Sequence, residues 1–238
     1  MDALVLDRLS TDLQELTCAI EAAAGVDIAV EVVPSAPHLS CTATQFGARI
    51  FTPSVDCFQD GPALHELLHI RRILVEGIPQ LGYDEHSWPS PEEDALLNAI
   101  DNNLEHLAFG NEELTRRPNR RAYWLGKMRN ALETLEASQV GVGGHGALAL
   151  LCFTFVQHVL RDGPLMTRAQ AILDAANLGG YPARLFNNVE PANQSKDLTV
   201  RLFFQLLGMP TEGIEFEYVD SRNSTRRQIA LAEVVVER

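Results

Sequence analysis

The chain has 238 residues, 46% hydrophobic and 21% charged, with a formal net charge of −13. That length and apolar share suffice for one large globular domain or two small ones. The acidic balance excludes non-specific binding to DNA or RNA, which needs a basic surface, and opposes adsorption to anionic membranes.

No apolar run reaches bilayer-spanning length; the longest, Ala147 to Val156, reads as a core helix. The first residues carry no basic region of a secretory signal. Cys18, Cys41, Cys57 and Cys152 form no C-x-x-C pair. They read as buried free thiols, and the chain as a cytoplasmic protein.

In chain order, Leu4 to Ala24 shows helical spacing and stops at Gly25. Asp27 to Val33 is a strand by its β-branched content, ended by Pro34 and Pro37. Leu39 to Thr44 and Ala48 to Thr52 make a hairpin around Gln45-Phe46-Gly47. Ala48 to Thr52 is either a plain structural strand or an edge strand able to pair with an extended peptide. A helix then starts near Asp60 or Gly61, takes Pro62 in its first turn, and runs to Glu76 before Gly77 and Pro79. Its apolar residues cover so wide an arc that the helix must be buried.

Ile78 to Pro89 is a loop, and Ser90, Pro91 and Glu93 announce a helix that ends at Gly110. Asn111 to Ala137 is helical apart from Pro118. Further helices follow: an apolar one to Arg161, then Thr167 to Asn177 and Asp197 to Leu207. Ile214 to Tyr218 and Gln228 to Val236 close the chain as a hairpin turning near Ser221 to Ser224. The fold class is α+β: an N-terminal helix and a small antiparallel sheet packed on a central helix, with a mostly helical C-terminal half. Residues 1–110 form the core and residues 111–238 a mostly helical extension packed on it.

Inside the central helix lies His65-Glu66-Leu67-Leu68-His69, an H-E-x-x-H pentapeptide. Residues four apart share a helix face, so both imidazoles can grip one metal ion. Glu66 lies on the adjoining face, within reach of a metal-bound water as general base. The alternative is a pair of hydrogen-bonded core histidines. A catalytic zinc site needs a third ligand. The metzincin extension is absent, since Arg72 and Val75 occupy its places. In the next helix Asn98, Asp101, Asn102 and Glu105 lie on one side, which makes Glu105 the third-ligand candidate. His106 is its rival. Asp101 can hold an imidazole N–H. Tyr83 and His86, in the connecting loop, are candidate oxyanion donors.

The order helix, hairpin, His65-Glu66-Leu67-Leu68-His69, loop, then a helix with Glu105 resembles the compact gluzincin-type zincin metallopeptidases over Leu4 to Gly110. The resemblance implies a zinc peptidase acting on a peptide or protein, with Glu66 as base and His65, His69 and Glu105 as ligands. A non-catalytic binding module on the same scaffold is the rival reading.

Three other features imply less. Gly141 to Gly146 fits G-x-G-x-x-G by letter but follows a helix, so it reads as a turn. Arg116, Arg117, Arg120 and Arg121 form a basic cluster that reads as a solvated helix end or internal ion pairing, with an acidic partner as the alternative. Thr167 to Val189 hints at helix-turn-helix, yet Arg168 and Arg184 are too little charge for DNA.

Overall fold

A computed structural model describes residues 3–138, 144–183 and 196–234. The chain divides into two compact units, Met1–Gln80 with Glu217–Gln228, and Leu81–Phe216 with Ile229–Arg238. The fold is α+β, with small three-stranded sheets beside the helices.

The first unit opens with a short helix α1 (Ala3–Leu6) and then α2 (Thr11–Ala24). The expected single helix breaks at Ser10, whose backbone N–H donates to Asp60 instead of continuing a helix (3.0 Å). Gly25 ends α2 in the left-handed region, φ 72°. Strands β1 (Ile28–Val32), β2 (Ser40–Thr44) and β3 (Gly47–Thr52) form a sheet in the order β1-β3-β2. The hairpin of β2 and β3 is antiparallel as expected, but β1 runs parallel to β3, so the sheet is mixed. The connection after β1 carries β2 to the far side, and the tight turn brings β3 back between the two, running the same way as β1. Paired on both flanks, β3 is not an edge strand and has no free ladder to offer a peptide.

Helix α3 (Asp60–Leu74) packs on β2 and α2. Ala63, Leu64, Leu67, Leu68 and Ile70 are wholly buried. Each fully buried leucine contributes about 1.5–3 kcal/mol through loss of apolar surface from water. Gly77, at φ 68°, stops the helix, and the Ile78 N–H returns to the Arg72 carbonyl (2.9 Å). The tip of a C-terminal hairpin completes this unit: Ser221 Oγ donates to the Ala24 carbonyl and Arg222 Nε to that of Ala23, both at 2.7 Å. That hairpin joins β5 (Ile214–Asp220) to β6 (Thr225–Ala230), and with β4 (Gln80–Tyr83) it makes a second sheet in the order β4-β5-β6.

The second unit is helical. Helix α4 (Pro91–Arg116) opens on a reciprocal cap: Ser90 Oγ accepts from the Glu93 N–H, and Glu93 accepts from the Ser90 N–H. It does not end at Gly110 as expected. Glycine serves packing there: a Cβ would lie 2.9 Å from Val159 Cγ1 and 3.1 Å from Phe155 Cε2. Pro118 separates α4 from α5 (Arg120–Ala137). Helix α6 (Gly144–Phe155) passes into a wider π-type turn, Val156–Leu160, closed by Arg161 at φ 51°. Helices α7 (Gly163–Ala175) and α8 (Lys196–Leu207) follow.

The arginine cluster is engaged internally. Arg116 pairs with Glu112, Arg120 with Glu113, and Arg121 donates to the Leu160 carbonyl. Arg168 pairs with Glu136. Gly141-Val142-Gly143, Arg184 and Val189 lie outside the described residues. All four cysteines are free, but Cys18 and Cys57 are exposed, Cys41 is half-buried with its thiol turned inward, and Cys152 is buried. Cys18 follows Thr17, which faces the core, and so turns outward on α2. No helix of the described residues is long and apolar enough to cross a membrane.

Two glycines inside long helices, Gly110 of α4 and Gly126 of α5, give opposite expectations. Gly110→Ala should lower the melting temperature, because overpacking costs about 1–3 kcal/mol against a propensity gain of about 1 kcal/mol. Gly126→Ala, where a Cβ meets nothing within 4 Å, should gain about 0.4–1 kcal/mol. Urea unfolding of both variants checks the pair; equal stabilisation would remove the close-approach role of Gly110.

Candidate metal centre

Helix α3 presents His65 and His69 on one stripe, where both are half-buried. Their ring centroids are 4.9 Å apart and the planes are near perpendicular (82°). This is the geometry expected of residues one turn apart. Glu66 is 6% exposed, so its carboxylate is largely screened from bulk water.

His65, His69 and His106 each offer a ligand atom, and these atoms all lie within 4.8 Å of one another. The three could therefore hold a metal ion. A set of three imidazoles suits several first-row divalent ions, and by itself does not select one. His106 is the residue weighed as the rival to Glu105, and Glu105 is not in this group.

Neighbouring residues on a helix point about 100° apart, so Glu105 and His106 meet different surroundings. Glu105 shares its stripe with Asp101, one turn earlier. Both reach the buried ammonium of Lys196 at the start of α8, at 3.0 Å from Glu105 and 2.7 Å from Asp101. Asp101 thus holds an ammonium where an imidazole was expected. Burial pushes its carboxyl above the ordinary value of 3.8; Lys196 opposes that rise, and the negative Glu105 adds to it.

The two candidate oxyanion donors, Tyr83 and His86, differ in their surroundings. Tyr83 ends β4, and burial followed by the nearby Glu93 and Asp94 raises its phenol above the usual range. It keeps its proton and can donate. His86 has a side chain 87% exposed, 3.6 Å from Glu85. His158, in the π-type turn, is held below its ordinary value by burial and by Arg161, so it favours the neutral ring.

One neighbour escaped the sequence reading. Cys41 of β2 places its Sγ 3.8 Å from the Glu66 carbonyl oxygen. Burial, then the charge and hydrogen bonding of Glu66, drive its thiol well above the ordinary value of 9.0. It is a protonated donor and not a nucleophile. Strand alternation puts Cys41 and Ala43 on one face, but nothing local in the sequence says that Glu66 lies opposite.

The raised Asp101 value has a definite sign. As pH rises the unfolded chain ionises first, so the contribution of Asp101 to stability is full below 3.8 and is lost as pH rises through the folded value. Asp101→Asn removes that loss while leaving an acceptor for Lys196. Its stability relative to wild type should climb as pH increases from about 3.5 to about 7 in urea unfolding. A difference independent of pH would contradict the assignment.

Compared with known proteins, the chain matches no family model, no curated protein and no solved structure.

Proposed function

We propose that this protein is a zinc-dependent peptidase that hydrolyses peptide bonds of a peptide or protein substrate. The observation that carries the reading is the grouping of His65, His69 and His106, with Glu66 next to the first of them in the chain. Catalytic zinc sites commonly combine three protein ligands with one open position, and imidazole is a preferred donor. In this reading His106, in place of Glu105, is the third ligand. A three-histidine set departs from the two-histidine, one-glutamate pattern of the gluzincins, so the likeness is to the H-E-x-x-H zincins more broadly.

A zinc ion held there would polarise the scissile carbonyl and acidify a water so that it attacks near neutral pH. Glu66 accepts the proton of the attacking water and then delivers a proton to the leaving amine. Its seclusion from bulk water favours direct proton exchange with the reacting groups. Cys41, as a protonated donor beside it, helps hold Glu66 in place. Tyr83 is the better of the two oxyanion candidates, since its phenol stays protonated while His86 is solvated. The free cysteines agree with a reducing cytoplasm.

Metal analysis and a peptide-library cleavage assay test the reading together. Purified protein should carry about one zinc per chain. Glu66→Gln should lose at least about 100-fold in cleavage with its zinc retained. Wild type that keeps zinc yet cleaves nothing would leave a metal-dependent binding module and end the peptidase reading.

The ligand set has its own test. His106→Ala should lose zinc, and Glu105→Gln should keep it. Removing metal with a chelator should lower the melting temperature, because an ion bound only by the folded chain stabilises it. Zinc loss in Glu105→Gln but not in His106→Ala would reverse the ligand choice.

A further inference from the structure

Behind His106 lies a buried network that metal ligation alone does not explain. The His106 ring is held edge-to-face by two aromatics. Trp124 of α5 has its centroid 4.8 Å away at 66°, and Phe109 of α4 lies 5.6 Å away at 82°. His106 is 1% exposed and Trp124 wholly buried. The indole N–H of Trp124 donates to Glu113 Oε2 at 3.0 Å, and Arg120 Nε donates to Glu113 Oε1 at 2.9 Å. Glu113 itself has no exposure to solvent.

A buried indole needs one acceptor, and any neutral carbonyl would serve. A buried carboxylate is a costly choice, since an apolar or neutral substitute is often at least as stable. It does bring geometry. Both Glu113 oxygens are engaged from fixed directions, one by α5 through Trp124 and one by the first turn of α5 through Arg120. The indole plane is therefore set from two sides. The imidazole torsion about its Cβ–Cγ bond is intrinsically broad, so packing decides where the ring nitrogens point.

We propose that Trp124, tied by Glu113 and Arg120, is a positioning residue that fixes the ring plane of His106 for metal binding. The proposal rests on the reading of His106 as a ligand. It adds that the affinity of the site is set by a charge-anchored indole on another helix. Outer partners that orient a ligating histidine commonly change metal affinity by about 10–100-fold when removed.

Zinc affinity of the full-length chain, by competition with a chelator, tests the tie through four variants. Trp124→Phe keeps an aromatic ring but loses the N–H. Glu113→Ala loses the acceptor. Each should weaken zinc by about tenfold or more. Glu113→Gln, which still accepts from the indole, should lie closer to wild type. The double variant Trp124→Phe/Glu113→Ala should bind no worse than the weaker single, because both break one tie. Singles within about twofold of wild type, or losses that simply multiply in the double, would overturn the proposal.

The metal reading fails separately, by wild type that takes up no zinc or by His106→Ala that binds it as tightly. A further measurement needs no substitution in the network. In Trp88→Phe, where the removed side chain is 92% exposed, Trp124 is the one remaining tryptophan. Cobalt(II) bound through His106 should quench its emission saturably, and titration without quenching would also overturn the proposal.

Discussion

The helical repeat imposes the constraint on which the candidate site depends. Two imidazoles four residues apart must lie on one stripe of α3, and the rest of that helix is committed to the core by Ala63, Leu64, Leu67, Leu68 and Ile70. Because those side chains lock the rotation of α3 against β2 and α2, the stripe carrying His65 and His69 cannot turn away. Glu66, next to His65 on the same helix, is drawn into the buried side of α3. Hydrophobic burial thus aims polar groups that contribute little to folding themselves.

Helix α4 meets a harder version of the same problem. It carries Asp101, Glu105, His106 and Glu113, and the last three are buried. Each face finds a different solution. Asp101 and Glu105 share the ammonium of Lys196, His106 is enclosed by Phe109 and Trp124, and Glu113 is satisfied by Trp124 and Arg120. The three solutions involve α5 and α8 as well as α4. Buried charges of this kind are weak contributors to stability and strong determinants of geometry, because a lone member would be left unpaired in a poor solvent for charge. The rotation of α4 is in turn set where Gly110 admits Phe155 and Val159 at close range.

Much of the local structure was legible because its causes are local. Ser90 and Glu93 form the reciprocal cap their spacing announces, and Gly77 ends α3 at the positive φ that glycine tolerates best. The β2–β3 hairpin and the turn at Ser221 to Ser224 came from alternation and turn residues. The failures were of a different kind. Gly110 looked like a helix end because its other use, admitting a neighbour, has no local mark. Whether β3 was an edge or an inner strand stayed open, because pairing with β1 depends on a connection that skips a place in the sheet. Cys41 gave no sign of its contact with Glu66.

By itself, then, the sequence determined what one chain segment can settle alone: helix periods, caps, turns, and the pairing of His65 with His69 one turn apart. What Glu105 and His106 each meet belonged to tertiary structure. The two are adjacent, so any local rule puts both near the same point on α4, while their side chains diverge by about 100°. That Glu105 meets Lys196 while His106 is enclosed by Phe109 and Trp124 follows from how α4 is rotated by its packing within its own unit. That rotation is a sum over contacts distant in sequence, and no window of neighbouring residues contains it.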